Sequence, residues 1–305
     1  MALDTARAVA TLRGLTAKFD AGADAAQPYY PNLCTIVPSN GSDEQYGWLG
    51  SMPGMQEWLG DRQFKSLRSG NFTLANKKWE SSIAIEKDDI EDDRLGMYGP
   101  VLEHLGQEAA LHPDELLLSA IEAGESTACF DGQYFFDTDH TWGDSGTQDN
   151  DLTYAAASGT TPTTDEFKGA YRAAVTALLG FKNDQGKLLN RPTVTRLSGL
   201  TVVVPLALRA TAYDSVESQI LSNSTNVVID RPEIVCLPGL ASAAKFYVFN
   251  TGARLRPFVF QARTPLSRQM KGLDDSEFKS VKFMTDARYN LGYLAWWNAV
   301  LTTFT

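Results

Sequence analysis

The chain has 305 residues, 43% of them apolar and 21% charged, with a formal net charge of −10. That length allows a sizeable core or two, and the composition is ordinary for a folded protein, which excludes disorder along the whole chain. An acidic balance without a basic block excludes tight gripping of nucleic-acid phosphates.

Cys34, Cys129 and Cys236 are odd in number and widely spaced, which predicts three reduced thiols rather than a disulfide framework or a zinc site. The first ten residues include Asp4 and lack a long apolar run, so no secretory leader is expected. No stretch approaches the length of a membrane span. These features predict a soluble protein made in the cytoplasm.

In chain order, residues 4–19 predict a short amphipathic helix with Val9, Leu12 and Phe19 on one face. Residues 21–31 are rich in Ala, Asp, Gly and Pro and read as a flexible connector. Such a helix must dock on its own body or on a neighbour. Residues 46–64 hold Trp48 and Trp58 among glycines and methionines, either a packed loop or a contact surface for another chain.

Residues 70–86 carry a period-two pattern. Phe72 and Leu74 precede the polar residues Asn76, Lys77 and Lys78. Trp79, Ile83 and Ile85 then alternate with polar positions. The expectation is a β-hairpin at about 65–90 with a basic tip, which alone is marginal in water and needs a partner surface. The acidic run 86–94 suits a helix start.

Helical spacing from about residue 94 to Gly124 includes Tyr98, Leu102 and Leu105; Pro113 predicts a kink or a break. Residues 126–162 read as a loop or strand pair. A second helix over 164–181 begins with Thr163 and Glu166 at capping-box spacing. Strands are expected at 201–204, 226–229, 233–236, 246–249, 254–260, 281–284 and 289–297, with a turn at Asn250-Thr251-Gly252 and a further helix within 205–223.

No HExxH, GxSxG, Walker A or GxGxxG pattern is present. Asp137, Asp139, His140 and Asp144 are the one cluster with ligand-like spacing, and they lack the order of an EF-hand. The bland reading is a polar loop whose acids cap turns. A metal-dependent hydrolase using Asp137, Asp139 and His140 is the alternative.

Several segments together are similar to the major head subunit of Mu-like tailed phages. They are Tyr46-Gly47-Trp48-Leu49-Gly50, Glu57-Trp58-Leu59-Gly60-Asp61-Arg62, Asn76-Lys77-Lys78-Trp79-Glu80-Ser81, Asp89-Ile90-Glu91-Asp92-Asp93, and Phe130-Asp131-Gly132-Gln133-Tyr134-Phe135-Phe136 with Asp139-His140. The likeness covers residues 40–145 and is looser beyond them. It implies an α+β, HK97-like phage capsid fold. By that likeness an N-terminal arm spans 1–45, an extended loop 46–90, a peripheral domain 91–184 with a spine helix at about 94–124, and an axial domain 185–265. Residues 266–305 return to the peripheral domain.

The resemblance further implies a structural protein with no catalytic residue, metal or cofactor. It would assemble with itself into pentamers and hexamers and enclose double-stranded DNA without reading sequence. Portal, scaffold and decoration proteins are its expected partners, the virion its location, and the host cytoplasm its place of assembly. Val9, Leu12, Phe19, Trp48, Trp58, Phe72, Lys77, Lys78, Trp79 and Ile83 are the candidate inter-subunit contacts. Another virion component, such as a tail or decoration protein, is the remaining alternative.

Overall fold

The computed structural model describes residues 5–46, 72–86, 88–89, 94–190, 199–216, 220–221, 224–225, 232–271 and 280–305. The two longest strands, β13 (Phe258–Lys271) and β14 (Ser280–Tyr293), form an antiparallel ribbon. At about 3.3 Å per residue it reaches roughly 45 Å. Register shifts around Thr264 bend it. β1 (Cys34–Pro38) runs parallel to β13 at one edge, and β4 (Lys77–Glu86) runs antiparallel to β14 at the other.

The expected hairpin at 65–90 is not what forms. β3 (Thr73–Ala75) pairs with β2 (Asp43–Gln45), while β4 pairs with β14. Only Asn76 separates β3 from β4, too little for a two-residue hairpin turn. Asn76 instead ties the corner to residues 39–42, donating from its backbone to the Ser42 carbonyl and from its amide to Ser39 Oγ and the Gly41 carbonyl.

A second sheet has the order β11 (Glu233–Cys236), β8 (Leu200–Val204), β12 (Lys245–Asn250), β15 (Ala299–Phe304) and β7 (Asp151–Tyr154). β8, Leu-Thr-Val-Val-Val, is buried at all five positions, as a strand covered on both faces must be. The helix Thr164–Gly180 covers this sheet, its Phe167 ring 4.8 Å from Phe246. The predicted capping box at its start is present in both directions. Short pairs complete the strands: β5 (His140–Thr141) with β6 (Thr147–Gln148), and β9 (Ile220–Leu221) with β10 (Ser224–Thr225).

Asn250-Thr251-Gly252 does not close a hairpin. The Thr251 and Gly252 N–H groups donate to the Gly199 carbonyl, and the chain crosses to the long sheet before β13 begins at Phe258. The two strands expected at 281–284 and 289–297 are one strand that stops at Tyr293. A 3₁₀ turn, Trp296–Asn298, then feeds β15. The helix expected within 205–223 is a 3₁₀ turn, Leu206–Leu208, followed by Arg209–Val216. The strand expected at 226–229 lies outside the described residues.

The expected domain boundaries cut through both sheets. β1, in the segment assigned to the arm, is an edge of the long sheet. β15, in the segment assigned to the peripheral return, lies inside the sheet that holds β8 and β12.

The arm helix, Thr5–Ala25, continues past the predicted end, so the expected connector at 21–31 is mostly ordered chain. The backbone N–H groups of Tyr29 and Tyr30 donate to the Asp114 carboxylate and fasten it. The long helix spans Tyr98–Glu122 with Pro113 inside it, so the proline neither ends nor splits it. A 3₁₀ turn, Ala123–Glu125, finishes it. Gly124, expected as a stop, is demanded by packing: a Cβ there would lie 2.6 Å from the Phe136 ring.

Among the described residues, two apolar clusters form the core. The larger joins the five-stranded sheet, its helices and the near end of the long sheet. The smaller joins Leu15, Phe19, Ile85, Leu102, Val281 and Phe283 where arm helix, long helix and outer long sheet meet.

Candidate assembly surface

Of the candidate contact residues, Trp48 and Trp58 lie outside the described residues, as do the side chains of Val9 and Leu12. Phe19 is buried within its own chain, its ring 5.3 Å from Phe283. The arm helix crosses the long helix at two glycines. A Cβ on Gly22 would lie 1.9 Å from the Glu103 carbonyl oxygen, and one on Gly106 2.1 Å from that of Phe19. Arg268 pairs with Asp20 at 2.8 Å and Lys18 approaches Glu103 at 3.9 Å, both on exposed surface and therefore worth little.

Ile83 packs on the smaller cluster, and Phe72 is half-buried beside Tyr46, with ring centroids 6.1 Å apart. Trp79 is also half-buried. Its indole N–H donates to the Tyr289 carbonyl at 3.0 Å, and its ring lies 4.4 Å from His112. His112 Nδ1 is 2.7 Å from Tyr289 Oη. Burial holds the His112 pKa below its ordinary value, against the pull of Glu115. Trp79 and Ile83 thus find partners in their own chain, which the hairpin expectation did not anticipate. Lys77 and Lys78 are exposed.

Beside Trp79 lies a half-open cavity of about 250 Å³ between the long helix and the long sheet. Leu105, Glu108, Ala109, His112 and Glu115 line it from the helix; Glu80, Ser81, Asp286 and Tyr289 are among its lining residues from the strands. On the sheet's other face β4 and β14 place like charges opposite each other: Lys78 is the partner of Arg288, and Glu80 of Asp286.

The acidic loop does not converge. Asp137 accepts from the Tyr134 and Thr138 N–H groups, and Asp139 accepts from the Gln133 amide at 2.8 Å. His140 is fully buried, stacked 4.0 Å from Trp296, and its Nδ1 lies 2.7 Å from Asp131 Oδ2. The Cys129 thiol donates to the other oxygen of Asp131 at 2.9 Å. Among the described residues, Cys129, Asp131 and His140 are the set whose ligand-capable atoms come together. Their separations are those of hydrogen bonds, and the carboxylate stands between thiol and imidazole. Burial pushes the Cys129 thiol well above its ordinary pKa, so it is no nucleophile. The site is a buried strut that fixes the Phe130–Asp139 bend, and the hydrolase alternative loses its geometry. Sequence spacing singled out His140 but missed Asp131, because the carboxylate sits nine residues away without a motif.

Residues 9–166 match the model of the family described as Mu-like prophage major head subunit gpT. The Mu-like prophage FluMu major head subunit of Haemophilus influenzae is 45% identical over 130 residues, which are 43% of this chain and 42% of that protein. The major capsid protein of Escherichia phage Mu is 38% identical over 122 residues, 40% of each chain. The matched region therefore spans about two fifths of the length of these relatives. A chain of the bacteriophage JBD30 procapsid superposes with a TM-score of 0.55 at 24% identity, covering 97% of this chain and 74% of that one. The HK97-like, α+β capsid fold implied by the resemblance is the fold observed. With more than half of its length matched by the family model, the chain belongs to the Mu-like major head subunit family.

Proposed function

We propose that this protein is the major capsid subunit of a Mu-like phage, a non-enzymatic building block that assembles with copies of itself into the pentamers and hexamers of an icosahedral head around double-stranded DNA. The geometric observation that carries this reading is the one-sided cover of the long sheet. Helices pack on one face of β4 and β14, while the other exposes Lys78, Glu80, Lys282 and Asp286. A ribbon with one charged face that no described element covers is suited to lie on a neighbour. Family membership supports the same reading.

In this proposal the arm is Thr5–Ala25, the extended loop comprises residues 46–86 together with the outer ends of β13 and β14, and the spine is Tyr98–Glu122. The five-stranded sheet forms the body. The candidate contacts at Lys77, Lys78 and Trp79 belong to the extended loop. Portal, scaffold and decoration proteins are the proposed further partners, the virion the proposed location, and the host cytoplasm the site of assembly. The net charge of −10 suits an inner wall from which packed DNA is mildly repelled.

Negative-stain electron microscopy of the protein expressed alone, and together with the genes beside it, tests this. Rings, tubes or shells of repeated capsomers are expected. A strictly monomeric protein under both conditions would refute it.

A further inference from the structure

We infer that the cavity beside Trp79 is a receptor for the Lys78 ammonium group of a second copy of this chain. The inference rests on the shell-subunit reading and gives it one specific contact.

The receiving side is built for an organic cation. Glu108 and Glu115 of the long helix line the cavity, and none of its described lining residues is a lysine or arginine. Trp79, His112 and Tyr289 supply aromatic surface, with 4.4 Å between the Trp79 and His112 centroids and 6.1 Å between those of Trp79 and Tyr289. An ammonium group over such rings gains from the ring quadrupole, more so where water is partly excluded. His112 does not compete as a cation at neutral pH, since burial already disfavours its charged form. The cavity is half-open, and its volume of about 250 Å³ leaves room for an entering side chain.

The donating side is strained in the opposite sense. Lys78 is exposed and stands directly across from Arg288, a like-charge pair that destabilises a sheet. Arg288 Nε is buried with no hydrogen-bond partner. An approaching anionic surface would relieve the like-charge repulsion.

Strand alternation puts Lys78 and Trp79 on opposite faces of β4. Lys78 therefore points away from its own chain's cavity, and the contact joins two different patches. A contact between unlike patches, when repeated by rotation from one subunit to the next, closes into a ring. That is the symmetry a pentamer or hexamer needs.

The test uses full-length protein assembled from a mixture of isotope-labelled and unlabelled chains and treated with a zero-length carbodiimide. The expected product is a Lys78–Glu108 or Lys78–Glu115 link between a labelled and an unlabelled peptide. In parallel, Lys78→Glu and the pair Glu108→Lys/Glu115→Lys should each lower particle yield at least tenfold while keeping the wild-type circular dichroism spectrum. Combining all three changes in one chain should recover it. Wild-type particles without the inter-chain link, or Lys78→Glu particles at wild-type yield, would overturn the inference and leave the shell reading intact. Failure of the wild-type protein to form particles would remove both.

Discussion

The body around the five-stranded sheet and the outer part of the long sheet solve the same problem differently. In the body, buried asparagines bind the crossing strands from within. Asn150 donates to the carbonyls of Phe135, Trp296 and Ala299; Asn190 donates to those of Leu178 and Trp297; Asn250 bridges Asn190 and Asn298. Apolar side chains fill the space between them. Among the described residues, the outer region rests on six buried apolar side chains and two helices in contact through glycine, with charges of one sign facing each other across strands. Under the proposed capsid role, the difference assigns stability to the body and assembly to the outer region. Among the described residues, the body buries its polar groups against its own chain, while the outer sheet leaves a charged face exposed.

The largest blow to that division should come from the body. Phe135 is fully buried and packs on Phe136, Phe258 and Tyr293. Phe135→Ala should cost about 3–5 kcal/mol and unfold the whole chain at lower urea, as read by equilibrium denaturation. An intact midpoint would mean that the body is less closely packed than its contacts indicate.

Gly106→Leu should be confined to the outer region. The added side chain would press on the Phe19 carbonyl and drive the arm helix off the long helix, a cost of about 1–3 kcal/mol. Hydrogen exchange should speed up in the arm helix and remain slow in β8 and β12. Equal acceleration in both would show that the regions unfold as one unit.

Thr163→Ala removes the acceptor for the Glu166 N–H in an exposed capping box and should cost about 1 kcal/mol, visible as a small shift in thermal midpoint. No shift would mean that Glu166 alone suffices, through its bonds to the Thr163 and Ala157 N–H groups.

Asp151→Asn should have the smallest effect and should depend on pH. Burial, reinforced by Glu125, raises the Asp151 pKa from 3.8 to about 6, with Lys245 opposing. The folded form therefore holds the proton more tightly than the unfolded form. Its ionisation costs stability as pH rises from about 3.8 through about 6. The variant should gain at most about 1 kcal/mol at neutral pH, because the group is part-exposed and screened, and nothing near pH 3.5. A gain that persists there would point to packing rather than charge.

Sequence by itself determined the elements whose signal is local. The long helix follows from the spacing of Tyr98, Leu102 and Leu105, although the expected start is about residue 94 and the helix begins at Tyr98 after a 3₁₀ turn. The capping box at Thr163 needs only two residues three apart, and β8 and β4 carry their burial in apolar runs and alternation. The family resemblance, read from ordered segments between residues 40 and 145, also pointed to the fold. Tertiary structure decided which strands pair and what touches what. Alternation in β4 states that one face is apolar, but not that its partner is β14; the Trp79 indole finds its acceptor 210 residues on. The same holds for Asp131 beneath His140, and for Gly106 and Gly124, which are glycines because another segment of chain occupies the space of a Cβ. Periodicity reports the solvent on either side of an element, whereas pairing and close approach depend on residues far along the chain, and no local pattern encodes them.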